Sequence, residues 1–103
     1  MRLNNPRNEK IMTTIIEELV VLIADRKNNP TATSYTVTLL NDLNKAAQKV
    51  GEEGVEVVVA ALGQSDERLI EESADLIYHL LVLLAARDVA WSDVKEELAK
   101  RRR

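Results

Sequence analysis

Between Asp66 and Arg87 the chain carries two apolar rows at helical spacing: Leu69, Leu76, Leu80 and Leu83 in one, Ile70, Ile77, Leu81 and Leu84 in the other. On ideal geometry the rows together cover about half of the helix circumference. A helix that apolar is buried on more than one side, and a chain of 103 residues forms one domain with few other elements to bury it. The expectation is therefore an all-α bundle, a single domain over residues 1–103, whose core is completed by a second subunit. No stretch alternates with the period of two that a half-buried strand needs. Aromatic residues are only 3% of the chain and Phe is absent. The core must then be Leu, Ile, Val and Ala, a mixture suited to interdigitated helices.

The other elements follow from punctuation. Residues 1–7 hold Asn, Pro and charge without periodicity, which predicts a flexible lead-in. From about Asn8 to Lys27, Ile11, Ile15, Leu19 and Leu22 mark a first helix, with Asn8 as its cap and Asn28-Asn29-Pro30 as its end. Ser34 caps a short second element through Leu40, and Asp42 caps a longer helix to about Leu62. Gly51 and Gly54 lie inside that helix, where each costs up to about 1 kcal/mol against Ala. Gly54 either permits close helix packing, or both glycines clear space for a ligand. Gly63 is the expected C′ residue, Ser65 or Asp66 starts the apolar helix, and Asp88 to Trp91 form a turn. Ser92 is the expected cap of a last helix, Val94 to Arg103, with Trp91 anchoring that turn against the bundle.

Acids are concentrated in two short patterns, Glu52-Glu53-Gly54-Val55-Glu56 and Glu72-Ser73-Ala74-Asp75. Residues three apart lie about 60° apart around a helix, so Glu53 and Glu56 share one face, as do Glu72 and Asp75. Charge runs on helices are usually solvated faces. Here, however, Glu52 and Glu56 are like charges at i, i+4, and the second pair interrupts an apolar run. Carboxylate oxygens are the preferred ligands of hard divalent cations, so the sharper reading is a Mg²⁺ site made by Glu53, Glu56, Glu72 and Asp75. Lys45 and Lys49 continue the same arc upstream. They either pair with acids, Lys49 with Glu52 and Glu53, or meet a phosphate. A Mg²⁺ site suggests phosphate chemistry by activated water, with a carboxylate outside the ligand set, Glu52, as base. His79, on the same margin as Glu72 and Asp75, is more often a satisfied packing residue than a ligand, and Tyr35 and Tyr78 read as packing residues with bonded hydroxyls.

Several classes are disfavoured. A formal charge of −3 argues against general nucleic-acid binding, despite the basic Arg101-Arg102-Arg103. No Cys means no disulfide framework and no thiolate chemistry. There is no Gly-rich phosphate loop and no Ser-His-Asp arrangement, so a protein nucleophile is not expected. No signal peptide and no apolar run of bilayer length are evident, so no membrane partner is expected and the simplest address is the cytoplasm.

The pattern EExxE followed by ExxD resembles the all-α nucleotide pyrophosphohydrolases typified by MazG and the dimeric dUTPases. Within that superfamily the chain is most similar to the phosphoribosyl-ATP pyrophosphohydrolase family. The resemblance is carried by Ser34-Tyr35-Thr36, KVGEEGVEVVVAAL from Lys49 to Leu62, EESADLIYHLLVLLAARDV from Glu71 to Val89, and the closing EELAKR. It implies a MazG-like helical homodimer with a four-helix-type core, and Mg²⁺-dependent hydrolysis of phosphoribosyl-ATP to phosphoribosyl-AMP and pyrophosphate. By motif position it implies Glu53, Glu56, Glu72 and Asp75 as metal ligands, Glu52 as outer ligand or base, and Lys49 as a phosphate contact. More loosely it implies Arg26, Lys45 and the C-terminal arginines as substrate contacts. The chain departs from the family where a Lys-Gly break is usual and Asn41-Asp42 stands instead, which bears on the helix boundary there. A separate cyclohydrolase chain is expected to take the next pathway step. Two other readings stand beside this one: a MazG-like housecleaning nucleoside triphosphate pyrophosphohydrolase, and a non-catalytic helical dimer in which the acids are only a charged face.

Overall fold

Side-chain caps set most of the helix starts in the computed structural model, which describes residues 14–31 and 34–102. Among the described residues there are five helices and no strand: α1 Ile15–Asn28, α2 Tyr35–Leu40, α3 Leu43–Gly63, α4 Asp66–Ala86 and α5 Trp91–Lys100. Ser34, Asp42 and Ser65 accept the backbone N–H of Val37, Lys45 and Arg68 respectively, satisfying donors that the first turn leaves open. These are the three expected caps of α2, α3 and α4.

Three boundaries differ from the sequence expectation. The expected lead-in and the Asn8 cap lie outside the described residues. The helix that is described starts at Ile15, where Thr14 and Glu17 form a reciprocal capping box. Gly63 is not a left-handed C′ residue: it is the last residue of α3, no glycine has positive φ, and Gln64 runs on extended into the Ser65 cap. The last helix starts at Trp91 and not after Ser92, because α4 closes early and tightly. Asp88 takes φ 59°, and the N–H groups of Asp88 and Val89 return to the carbonyls of Ala85 and Leu84 at 3.1 and 2.9 Å. That is a Schellman ending with Asp where Gly is usual. Lys27 of α1 reinforces it, donating to the Ala85 carbonyl at 2.6 Å and to the Asp88 carboxylate.

α3 and α4 form a long antiparallel hairpin, the most extensive pairing among the described residues, and α4 also packs against α1 and α2. The core joins these elements through Ile23, Leu39, Ala46, Leu81 and Val82, all nearly inaccessible, with Trp91 packed at its edge. Among the described residues this arrangement leaves one face of the hairpin bare. Val55, Val58, Val59 and Leu62 of α3 and Ile70 of α4 are each more than half exposed. The bareness extends to the glycines: a Cβ at Gly51 or Gly54 meets nothing within 4 Å. Close packing among the described residues therefore does not explain Gly54.

Candidate active site

The hairpin brings the two acidic patterns together. Glu53 and Glu56 sit one turn apart on α3 and Glu72 faces them from α4, each offering an oxygen such that all three atoms lie within 4.8 Å of one another. Glu53 and Glu72 are only 8% and 5% exposed, whereas Glu56 is open to solvent. Asp75, one turn beyond Glu72, is exposed and stands outside that group of three. Burial pushes the Glu72 carboxyl above the usual range; Arg68 opposes this, and the negative charges of Glu56, Asp75 and Glu53 add to it.

Each buried acid has a cation on its own helix. Lys49 lies 3.4 Å from Glu53 and 3.5 Å from Glu52, the pairing expected from their spacing. Partial burial works against its ammonium, but the Tyr35 hydroxyl and the two glutamates prevail and hold its pKa above the ordinary lysine value. On α4, Arg68 donates one guanidinium nitrogen to Glu72 and another to Glu71. Arg68 was not singled out from the sequence. Its i+3 and i+4 spacing to Glu71 and Glu72 is visible there, and Glu72 is the acid the sequence places in the site, but only the fold shows the guanidinium bridging the buried Glu72 to the exposed Glu71.

The remaining sequence candidates fall at different distances from this centre. Glu52 is exposed, accepts from the Gln48 amide at 2.8 Å, and is held below the usual carboxylate range first by Gln48, against the opposing effect of desolvation, with Lys49 and Lys45 adding to the lowering. Lys45 is exposed one turn upstream of Lys49, and its charge reaches Glu52. Arg26 is the outlier. It lies in the last turn of α1, and among the described residues its ion pair is with its neighbour Asp25 at 3.3 Å.

His79 is buried and fully partnered. Its Nδ1 lies 2.7 Å from the Asp75 carbonyl, which only accepts, so Nδ1 carries a proton; Nε2 then accepts from the Tyr35 hydroxyl at 2.8 Å. This is the satisfied packing histidine expected from the sequence. Tyr78 also packs against the core and shares a hydrogen bond with Thr36, whereas Tyr35 keeps half of its surface exposed. Tyr35 is thus less a packing residue than the link from α2 to the site on α3 and α4.

Three converging carboxylates on an antiparallel helix pair, with no strand among the described residues, define an all-α protein of the MazG-like class. Residues 7–102 match the family described as phosphoribosyl-ATP pyrophosphohydrolase. Similar proteins named phosphoribosyl-ATP pyrophosphatase include one from Methanocella arvoryzae, 40% identical over 89% of this chain and 100% of its own length. Another, from Lactiplantibacillus plantarum, is 51% identical over 84% of this chain and 82% of its own. A third, from Pyrobaculum calidifontis, is 49% identical over 84% and 94%. The chain belongs to the phosphoribosyl-ATP pyrophosphohydrolase family.

Proposed function

We propose that this chain hydrolyses phosphoribosyl-ATP to phosphoribosyl-AMP and pyrophosphate, a step of histidine biosynthesis, in a Mg²⁺-dependent reaction carried out by a homodimer in the cytoplasm. The observation that carries the reading is the coincidence of family membership over residues 7–102 with three carboxylate oxygens drawn within 4.8 Å.

The donor set suits a hard divalent ion. All three ligand atoms are carboxylate oxygens, two of the acids are nearly buried, and Glu72 is disfavoured as an anion by that burial and by its acidic neighbours. Glu53, Glu56 and Glu72 hold the ion in this reading, with Asp75 as a fourth ligand from the exposed side. Bound there, Mg²⁺ supplies neutralisation of charge developing on the phosphates and a lowered pKa for water. The chain's own residues do the rest. Lys49, cationic and already among the acids, takes a phosphate oxygen, and Lys45 extends that contact upstream. Glu52, ionised at neutral pH and outside the ligand group, accepts the proton of the attacking water. Arg26 and the C-terminal arginines are assigned to the substrate more loosely, because their partners in the structure are Asp25 and, for Arg101, Glu97.

Dimerisation is supported by the bare hairpin face. Two such hairpins set face to face bury Val55, Val58, Val59, Leu62 and Ile70 in a four-helix core. The radius of gyration, 15.8 Å against about 13 Å for a compact chain of this length, fits a protomer that is half of a globule. Val59 follows Glu56 by three residues, so the apolar face begins at the edge of the acidic cluster.

The test is pyrophosphate release by purified protein with Mg²⁺, comparing phosphoribosyl-ATP, ATP and dUTP, with a chelator control. Chelator-sensitive release confined to phosphoribosyl-ATP is expected. Release mainly from ordinary nucleotides would move the chain to the housecleaning branch, and none from any substrate would leave a non-catalytic dimer.

A further inference from the structure

We propose that Arg68 is the resident counter-ion of the metal-free carboxylate cluster: it holds Glu72 until a divalent cation claims that carboxylate, and then takes a phosphate at the rim. The inference rests on the three carboxylates being a metal site. Its geometric basis is the asymmetry of the Arg68 contacts. One nitrogen reaches down to Glu72, whose side chain is 6% exposed, while the other is 2.5 Å from Glu71, which is 58% exposed. The Arg68 side chain is about half exposed, and its contacts span from the interior of the site to solvent.

Without a metal, Glu53, Glu56 and Glu72 are three like charges in a small space. Lys49 answers Glu53, and Arg68 answers Glu72 while also acting through space on Glu56. A buried carboxylate left without a partner is costly, so the cluster needs these cations to stay assembled before metal arrives. A divalent ion bound by the Glu72 carboxylate repels the guanidinium and replaces its charge with a larger one. Glu71 then keeps Arg68 tethered one turn from the metal ligands. A planar fork of N–H donors held there, next to the cation, matches the oxygens of a pyrophosphate group.

The experiment titrates Mg²⁺ into the full chain without nucleotide, using wild type, Arg68→Gln and Arg68→Lys, and follows heat of binding and melting temperature. Arg68→Gln should bind Mg²⁺ roughly tenfold more tightly, the scale of one charge-assisted hydrogen bond released from competition. Its metal-free form should melt below wild type, and saturating Mg²⁺ should close that gap. Arg68→Lys, which keeps the charge, should recover part of the metal-free stability. With Mg²⁺ saturating, Arg68→Gln should bind inorganic pyrophosphate more weakly than wild type. Equal or weaker Mg²⁺ binding by Arg68→Gln overturns the counter-ion role, and undiminished pyrophosphate binding overturns the phosphate role. Mg²⁺ binding by none of the three proteins overturns the metal site itself and this inference with it.

Discussion

The Tyr35 hydroxyl lies 2.8 Å from Nε2 of His79, whose Nδ1 lies 2.7 Å from the Asp75 carbonyl one turn back on the same helix. The short helix α2 is thereby fastened to the part of α4 that carries Glu72 and Asp75. Tyr35→Phe deletes the donor and leaves a buried ring nitrogen without its partner. A cost of about 1 kcal/mol is expected, a fall in melting temperature of about 4–8 °C for a domain of this size. Thermal unfolding of the variant checks this, and an unchanged midpoint would remove the bond from the account of stability.

Glu56 is the exposed member of the carboxylate group, so removing its charge should spare the fold. Glu56→Gln should unfold within a few degrees of wild type while turnover of phosphoribosyl-ATP drops by about a hundredfold or more, the scale of losing a properly held Lewis acid. Wild-type-like turnover in a folded Glu56→Gln protein would end the assignment of Glu56 as a ligand.

Metal binding to the native state alone raises stability with concentration, by about 2.7 kcal/mol when the ligand stands at a hundred times its dissociation constant. Millimolar Mg²⁺ should therefore raise the melting temperature of wild type and not that of a Glu53→Gln, Glu56→Gln double variant, and a chelator should reverse the gain. The comparison is made by thermal scanning at constant ionic strength, since surface ion pairs also respond to salt. An equal response from both proteins would mean that Mg²⁺ acts elsewhere.

How much of this was legible beforehand depended on whether a feature was local. The spacing of Glu53, Glu56, Glu72 and Asp75 and the caps at Ser34, Asp42 and Ser65 are properties of one turn each, and the helical period exposes them. The start of α1 was missed because the apolar spacing continues back to Ile11 in the sequence, whereas the Thr14–Glu17 box sets the observed start. The start of α5 was missed because Ala90 offers no side-chain cap, and because the turn that closes α4 holds Asp88 in a conformation that usually announces itself with Gly. Arg68 escaped for a different reason. Its partners are local and Glu72 was expected in the site, but that one guanidinium bridges the buried Glu72 to the exposed Glu71 depends on how deeply the hairpin buries each acid, which spacing on α4 does not specify. The apolar rows of α4 predicted a partner; that the valines of α3 share the exposed face emerged only from the packing.

The link between α1 and α5 makes a prediction about acid. Lys95 donates to the Glu17 carboxylate at 2.6 Å, and this bond, with the Thr14 hydroxyl and backbone N–H, lowers the Glu17 pKa to about 2. A carboxylate depressed in the folded state binds its proton more readily once unfolded, so its stabilising contribution is complete above the unfolded value near pH 4.5. The contribution is lost as pH falls from there toward 2. Glu17→Gln should thus be less stable than wild type at neutral pH, with the gap narrowing through that window. Denaturant unfolding of both proteins between pH 7 and pH 2.5 measures it, and a gap independent of pH would show that the pair contributes through packing and not through charge.

Ile70 supplies the test of assembly, because it is 68% exposed on the bare face and touches the core little. Ile70→Glu places a charge where two hairpins are proposed to meet, and burying it unpaired costs far more than an interface of ordinary size can spare. The variant protomer keeps its own core, formed by Ile23, Leu39, Ala46, Leu81 and Val82. Light scattering should find two chains in the wild-type particle and one in the variant, with helical circular dichroism largely retained. Loss of turnover in that folded monomer would mean that the acidic cluster, which borders the face, is completed by the partner. A wild-type particle of one chain would remove the dimer altogether and leave the exposed valines of α3 to be explained by another occupant.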